Sequence, residues 1–191
     1  MLYDAETISK FADCGISILD SPTDVVPQAL VYLGYDDSSK DPKELQEAED
    51  LLHEARPYIK KFTSSTLLND LANGDVCIAM SWAGDYATAS ARAKEAGKDI
   101  DLRYFVPEEG GLLWVDIIVI PKDAKNIENA YLLLDYLLRP QVSADFVNLT
   151  HYASPVPEAK AFIKEEVLND TAVYPTPCLL YTSPSPRDAL E

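Results

Sequence analysis

Asn69-Asp70-Leu71-Ala72-Asn73-Gly74-Asp75-Val76-Cys77-Ile78-Ala79-Met80-Ser81-Trp82-Ala83-Gly84-Asp85 is the stretch that decides the fold. Its first part closes a short helix, capped by Ser64 or Ser65 and stopped at Gly74, where a left-handed terminal residue favours glycine. Val76 to Met80 is then an uninterrupted apolar run of strand length, which marks a strand covered on both faces. Ser81 to Asp85 turns the chain into an alanine-rich helix predicted to close at Gly97. Helix, covered strand, helix is the pattern of an α/β layer.

The same alternation continues outward. Upstream, residues 4–12 read as a helix ended by Cys14 and Gly15, and 16–19 as a short buried strand. Ser21 as N-cap, Pro22 at the first helical position and Asp24 near the positive helix end open a helix that stops at Gly34. Asp41-Pro42 starts another, with Leu45, Ala48, Leu51, Leu52 and Ala55 at helical spacing, and Pro57 ends it before an extended stretch over 58–62. Downstream, 102–106 and 112–120 read as strands and 127–138 as an amphipathic helix broken by Arg139-Pro140. A further helix runs to about Leu149, and a last one over 158–168 follows a Pro155-Val156-Pro157 linker. There are no internal repeats.

The chain has 191 residues, 47% hydrophobic and 25% charged, and no apolar run long enough to span a membrane. A net charge of −16, from 32 acidic and 16 basic residues, repels nucleic acid and anionic membranes and attracts cations. A well-solvated acidic surface accounts for the same numbers. Met1 to Glu6 show no basic and apolar leader, so any signal region is expected to lie outside this chain. Residues 178–191 lack any amphipathic period and read as a translated adapter sequence, a non-native tail set aside from the fold. That leaves two of the three cysteines, Cys14 and Cys77. They are either a disulfide of an exported protein or two buried thiols.

Enzyme signatures are missing: no Gly-x-Ser-x-Gly elbow, no phosphate loop, and no metal-ligand spacing around His53 or His151. His53 falls on a polar helix face, and His151 ends a helix as a cap. Neither catalysis nor a cofactor is expected. Two constellations carry more information. Trp82-Ala83-Gly84-Asp85 sets an indole and a carboxylate at a strand-to-helix turn. Trp114-Val115-Asp116 sets the same pair two apart on a strand, and so on one face. Asp116 interrupts an apolar run, and a carboxylate there is costly without a partner. The plainer alternative is an edge strand with Asp116 in solvent and Trp114 in the core. Taken together, the two pairs suit an alkyl diamine. Indole faces attract each ammonium by roughly 0.5–2 kcal/mol. Carboxylates take charge-assisted hydrogen bonds of roughly 1.5–3 kcal/mol from the ends.

Asn69 to Asp75, Ser81 to Asp85, Pro107-Glu108-Glu109-Gly110-Gly111-Leu112-Leu113-Trp114-Val115-Asp116, Pro121-Lys122-Asp123-Ala124-Lys125-Asn126 and Tyr136-Leu137-Leu138-Arg139-Pro140 occur in this order. In this combination the chain resembles the putrescine/spermidine-binding proteins of bacterial ABC importers, over residues 1 to 177. The resemblance implies an α/β fold of the periplasmic-binding-protein type II, truncated. Residues 1–97 would be most of a second lobe, 98–153 a returning segment of the first lobe, and 154–177 a return to the second. It implies a monomer without nucleic-acid partners that takes a polyamine and delivers it to importer membrane subunits, held in the periplasm or lipid-anchored outside the cell. By matching position, the ligand contacts would be Trp82, Asp85, Trp114, Asp116, Tyr152, Ser64 and Asp24. At position 24 the family usually has a longer glutamate. Trp114, in place of a phenylalanine of some putrescine binders, points toward spermidine. A Cys14–Cys77 disulfide is also implied. Another cationic solute on the same fold, or an α/β enzyme lacking its catalytic half, are the alternatives.

Overall fold

The computed structural model describes residues 2–175, so the adapter-like tail with Cys178 lies outside the described residues. The chain divides into two compact units that part between Leu112 and Leu113.

The first unit is built on a three-stranded parallel sheet of β1 (Ile16–Ile18), β2 (Lys61–Phe62) and β3 (Ile78–Ala79) in the order β2-β1-β3. Ser17 of the central strand stands opposite Lys61 on one side and Ala79 on the other. Parallel neighbours cannot be joined by a hairpin, so helices carry each return. α1 (Ala5–Ser9) precedes β1, and α2 (Pro22–Tyr32) and α3 (Pro42–Ala55) join β1 to β2. α4 (Leu67–Asn73) joins β2 to β3, and α5 (Ala83–Glu95) follows β3. The helix starts follow the sequence: Asp41 accepts the Lys43 N–H at 2.8 Å, and Pro22 and Pro42 occupy first-turn positions. α2 packs on α3 and α4 on α5. Ile8, Ile16, Ile18, Leu19, Val25, Leu67, Leu71, Val76 and Ala89 form the core between them. Tyr3, Ala29, Leu30 and Ala48 form a second cluster where α2 meets α3.

Gly15 enters the central strand with φ +92°, and a Cβ there would lie 2.9 Å from the Asp75 carbonyl oxygen. Its own carbonyl accepts the Cys77 N–H at 2.9 Å. Cys14 and Cys77 are joined in a disulfide, with Cα atoms 5.6 Å apart across 63 residues of sequence. The pairing implied by the resemblance is therefore present.

Several elements differ from the sequence reading. β3 is two residues long, because only Ile78 and Ala79 lie beside β1. α4 begins after Thr66 rather than at Ser64 or Ser65. Its start is organised by hydroxyls: the Thr66 N–H donates to Thr63 Oγ1 at 3.2 Å, and Thr66 Oγ1 donates to Asp70 Oδ2 at 2.8 Å. The Lys61 ammonium is ion-paired with Asp70. Burial alone would raise the Asp70 carboxyl, but bonds from Lys61 and Thr66 hold it below the usual carboxylate range. Residues 102–106 and 112–120 are not strands, for a strand exists by pairing and neither segment has a paired neighbour among the described residues. Inward–outward alternation survives in the first of them: Leu102, Tyr104 and Val106 are half-buried between exposed Arg103 and Phe105.

The second unit contains α6 (Ile127–Leu137), α7 (Pro140–Thr150), a 3₁₀ turn over Pro157–Ala161 and α8 (Glu165–Leu168). The single helix expected over 158–168 is thus two short pieces. Lys164 sits between them in extended conformation, its N–H held by Asn148 Oδ1 at 2.9 Å. The core here is small: Ala144, Val147, Ala159, Ile163, Val167 and Val173. α6 has no buried residue although eight of its eleven are apolar or aromatic. Leu113, Trp114, Val115, Ile117, Ile118 and Val119 are 57–77% exposed.

Two stability tests follow from these contacts. The 63-residue crosslink confines the unfolded chain, an effect of about 4 kcal/mol on the loop-entropy relation. Cys14→Ser with Cys77→Ser, or a thiol reductant, is expected to lower the urea-unfolding stability of the first unit by about 2–5 kcal/mol. An unchanged midpoint would contradict this. Because the Asp70 carboxyl is depressed on folding, its contribution is fully present above the unfolded value of about 3.9 and is lost as pH falls through the lower folded value. Asp70→Asn should flatten the stability–pH curve below about pH 4. A wild-type slope there would assign the acid sensitivity elsewhere.

Candidate functional site

In an open parallel sheet every strand delivers its following loop to the same edge. Ligands sit beyond that carboxyl edge where the direction of travel reverses. Here the chain leaves β1 toward β2 and comes back past it to β3, so the reversal lies beside β1. Asp24 stands in the first turn of α2, after β1, and Trp82 and Asp85 stand at the start of α5, after β3. Ser64 follows β2. The four first-unit residues selected from the sequence therefore belong to one edge.

Asp24 is 7% exposed. Trp82 donates its indole N–H to Asp24 Oδ1 at 3.5 Å, and the Ser21 hydroxyl bonds to Oδ2. Ser21 stands at the N-cap as expected, but its hydroxyl serves this carboxylate instead of a helix N–H. Among the described residues only one other carboxylate is comparably buried, Asp70, and it has the Lys61 ammonium. No lysine, arginine or histidine among the described residues lies within ion-pair distance of Asp24, so neutral donors alone face its charge. A buried carboxylate in that setting is the natural counter-ion for an incoming cation.

Asp85 donates its N–H to the Trp82 carbonyl at 3.1 Å, which fixes the turn that aims both side chains. The Tyr104 phenol is pushed up by burial and by the negative charge of Asp85, so it stays neutral beside that carboxylate. Its ring stacks on Tyr86 with centroids 5.6 Å apart. Sequence reasoning passed over Tyr104, although the alternation of 102–106 already turned it inward. Ser64 differs from its expected role at a helix start: its Oγ accepts the Asp20 N–H at 3.2 Å and braces the loop after β1.

In the second unit Trp114 and Asp116 are exposed on an irregular segment. The common face argued from strand spacing therefore has no strand to rest on in this chain. Tyr152 follows His151, which caps α7 in left-handed conformation at φ 57° and donates its N–H to the Val147 carbonyl at 2.8 Å. His151 is the expected cap. His53 is exposed beside Glu49, as its polar face implied. Among the described residues no group of three or more His, Cys, Asp or Glu side chains is placed to hold a metal ion. No described helix is long and apolar enough to cross a membrane.

Residues 4–176 match the family model described as bacterial extracellular solute-binding protein. The chain is 38% identical over 187 residues to the putrescine-binding periplasmic protein SpuD of Pseudomonas aeruginosa, covering 96% of this chain and 51% of that protein. It is 41% identical over 176 residues to the putrescine-binding periplasmic protein PotF of Escherichia coli, covering 92% and 48%. Its fold superposes on the spermidine/putrescine ABC transporter substrate-binding protein PotD of Streptococcus pneumoniae with a TM-score of 0.74 at 30% identity, covering 91% and 50%. The chain thus spans about half the length of the curated relatives it matches. On the family match, the motif order and the parallel-sheet architecture, the chain belongs to the bacterial extracellular solute-binding proteins.

Proposed function

We propose that the protein to which this chain belongs captures a polyamine outside the cytoplasm and hands it to the membrane subunits of an ABC importer. The observation that carries this reading is Asp24, a buried carboxylate faced by an indole N–H and a hydroxyl and by no protein cation among the described residues. An ammonium group supplies the missing positive charge and three donors. Asp85 supplies a second carboxylate at the same sheet edge, and the Trp82 ring offers a surface for methylenes and a cation. Ser64 contributes through the Asp20 loop it braces. Trp114, Asp116 and Tyr152 are assigned further contacts from their chemistry and from the likeness of their motifs.

In this reading residues 1–97 and 154–177 are second-lobe sequence and 98–153 is a returning first-lobe segment. The exposed apolar residues of 113–119 and the unburied α6 are then surfaces that the rest of the longer protein covers. The protein works as a monomer in the periplasm or as a lipid-anchored surface protein. Relatives are named for putrescine and for spermidine, and in this reading Trp114 favours spermidine.

Isothermal titration of the gene product at the length of its relatives, against putrescine, spermidine and arginine, tests the solute class. Tight binding of arginine with none of either polyamine would replace the polyamine by another cationic solute. In that longer protein, Asp116→Asn is expected to cost about 2–5 kcal/mol of polyamine affinity by leaving an ammonium poorly paired. An unchanged dissociation constant removes Asp116 from the site. The 191-residue chain alone is expected to bind polyamine poorly or not at all and to enhance the fluorescence of a hydrophobic dye, and wild-type affinity from this piece would refute the lobe assignment.

A further inference from the structure

α2 presents two polar side chains one turn apart, Asp24 and Gln28, which places them on one face. Asp24 belongs to the site described above. Gln28 reaches 82 residues along the chain and donates its Nε2–H to the Gly110 carbonyl at 3.0 Å. The acceptor is held as firmly as the donor. Gly110 is buried, with φ +117°, a conformation that side-chain-bearing residues rarely adopt. Its N–H closes a turn back to the Pro107 carbonyl at 3.1 Å. At Gly111 a Cβ would lie 2.9 Å from Val106 Cγ1. The turn is therefore tight on its inside, and its outward carbonyl is taken by the helix that carries Asp24. Two residues after Gly110 the first unit ends, and Trp114 and Asp116 follow at once.

We propose that Gln28 is a positioning residue for solute binding: it latches the 107–110 turn to α2, so that the point where the chain leaves the first unit is fixed to the helix bearing Asp24. Gln28 touches no solute in this scheme, which rests on the polyamine reading of the site. A single neutral hydrogen bond of this kind changes an equilibrium by roughly three- to tenfold. Its effect is local to the turn, because the sheet and the disulfide hold the rest of the first unit without it.

The test has two arms. In the 191-residue chain, amide exchange followed by NMR should show Gly110 losing protection roughly three- to tenfold in Gln28→Leu, with the sheet amides of Thr63 and Met80 unchanged. Gln28→Glu, which sets a carboxylate against the same carbonyl, should release the turn equally and serves if the leucine variant folds poorly. Unchanged Gly110 protection in both variants overturns the latch. In the longer gene product, Gln28→Leu should weaken putrescine binding by a similar factor while the unfolding midpoint stays put. Equal affinity with and without the substitution overturns the positioning role alone. Failure of the unsubstituted protein to bind any polyamine overturns the reading of the site, and the positioning role with it.

Discussion

The first unit depends on three residues, Ile16-Ser17-Ile18, whose backbone bonds to both neighbours while their side chains are wholly enclosed. The Thr63 N–H is tied to the Ile18 carbonyl at 2.9 Å, and the Met80 N–H to that of Ser17 at 3.0 Å. The strand is central in the order and almost without exposure, Ile16 and Ser17 at 0% and Ile18 at 2%. A buried backbone must find its partners inside the protein, so this strand dictates where the chains before α4 and before α5 run. The entry of the strand is equally constrained, since the approach of the Asp75 carbonyl at Gly15 leaves no room for a side chain. Hydrophobic burial fills the space around this ladder, but the ladder decides which loops share an edge.

From that ladder the site follows. Parallel strands put Asp24, Ser64, Trp82 and Asp85 at one edge without any of them having to be close in sequence. The two buried carboxylates among the described residues of the unit then show opposite solutions to one problem. Asp70 is neutralised internally by Lys61 and serves structure. Asp24 is met by a hydroxyl and an indole N–H, which orient a charge without cancelling it. A carboxylate oriented in this way, with no cation beside it among the described residues, differs from a merely acidic surface and is the feature on which the proposed cation site rests.

Much of this was legible in the sequence where local chemistry agrees with the fold. Ser21-Pro22, Asp41-Pro42, Gly74 and the Trp82 turn mark their helices because capping and φ restrictions act within a few residues. Trp82 and Asp85 stood out as an indole and a carboxylate at one turn, whereas Asp24 as a contact and the pairing of Cys14 with Cys77 came only from the resemblance. What failed depended on partners. Residues 112–120 are apolar enough for a strand, yet nothing described in this chain pairs with them. Thr66, not Ser64, starts α4 because Thr63, Lys61 and Asp70 converge on it, a three-dimensional arrangement that no local rule contains. The Gln28–Gly110 bond spans 82 residues and left no trace in the pattern.

The covalent bond between Cys14 and Cys77 enters β1 and β3 at their amino ends, whereas Asp24, Trp82 and Asp85 leave the same two strands at their carboxyl ends. The crosslink and the loops that carry these three side chains thus lie at opposite ends of the strands. Changes in the loops that carry Asp24, Trp82 and Asp85 can therefore leave the crosslink in place, and a change at the crosslink does not act on those side chains directly. The covalent staple and the side chains at the opposite edge are thus independent features of one small sheet.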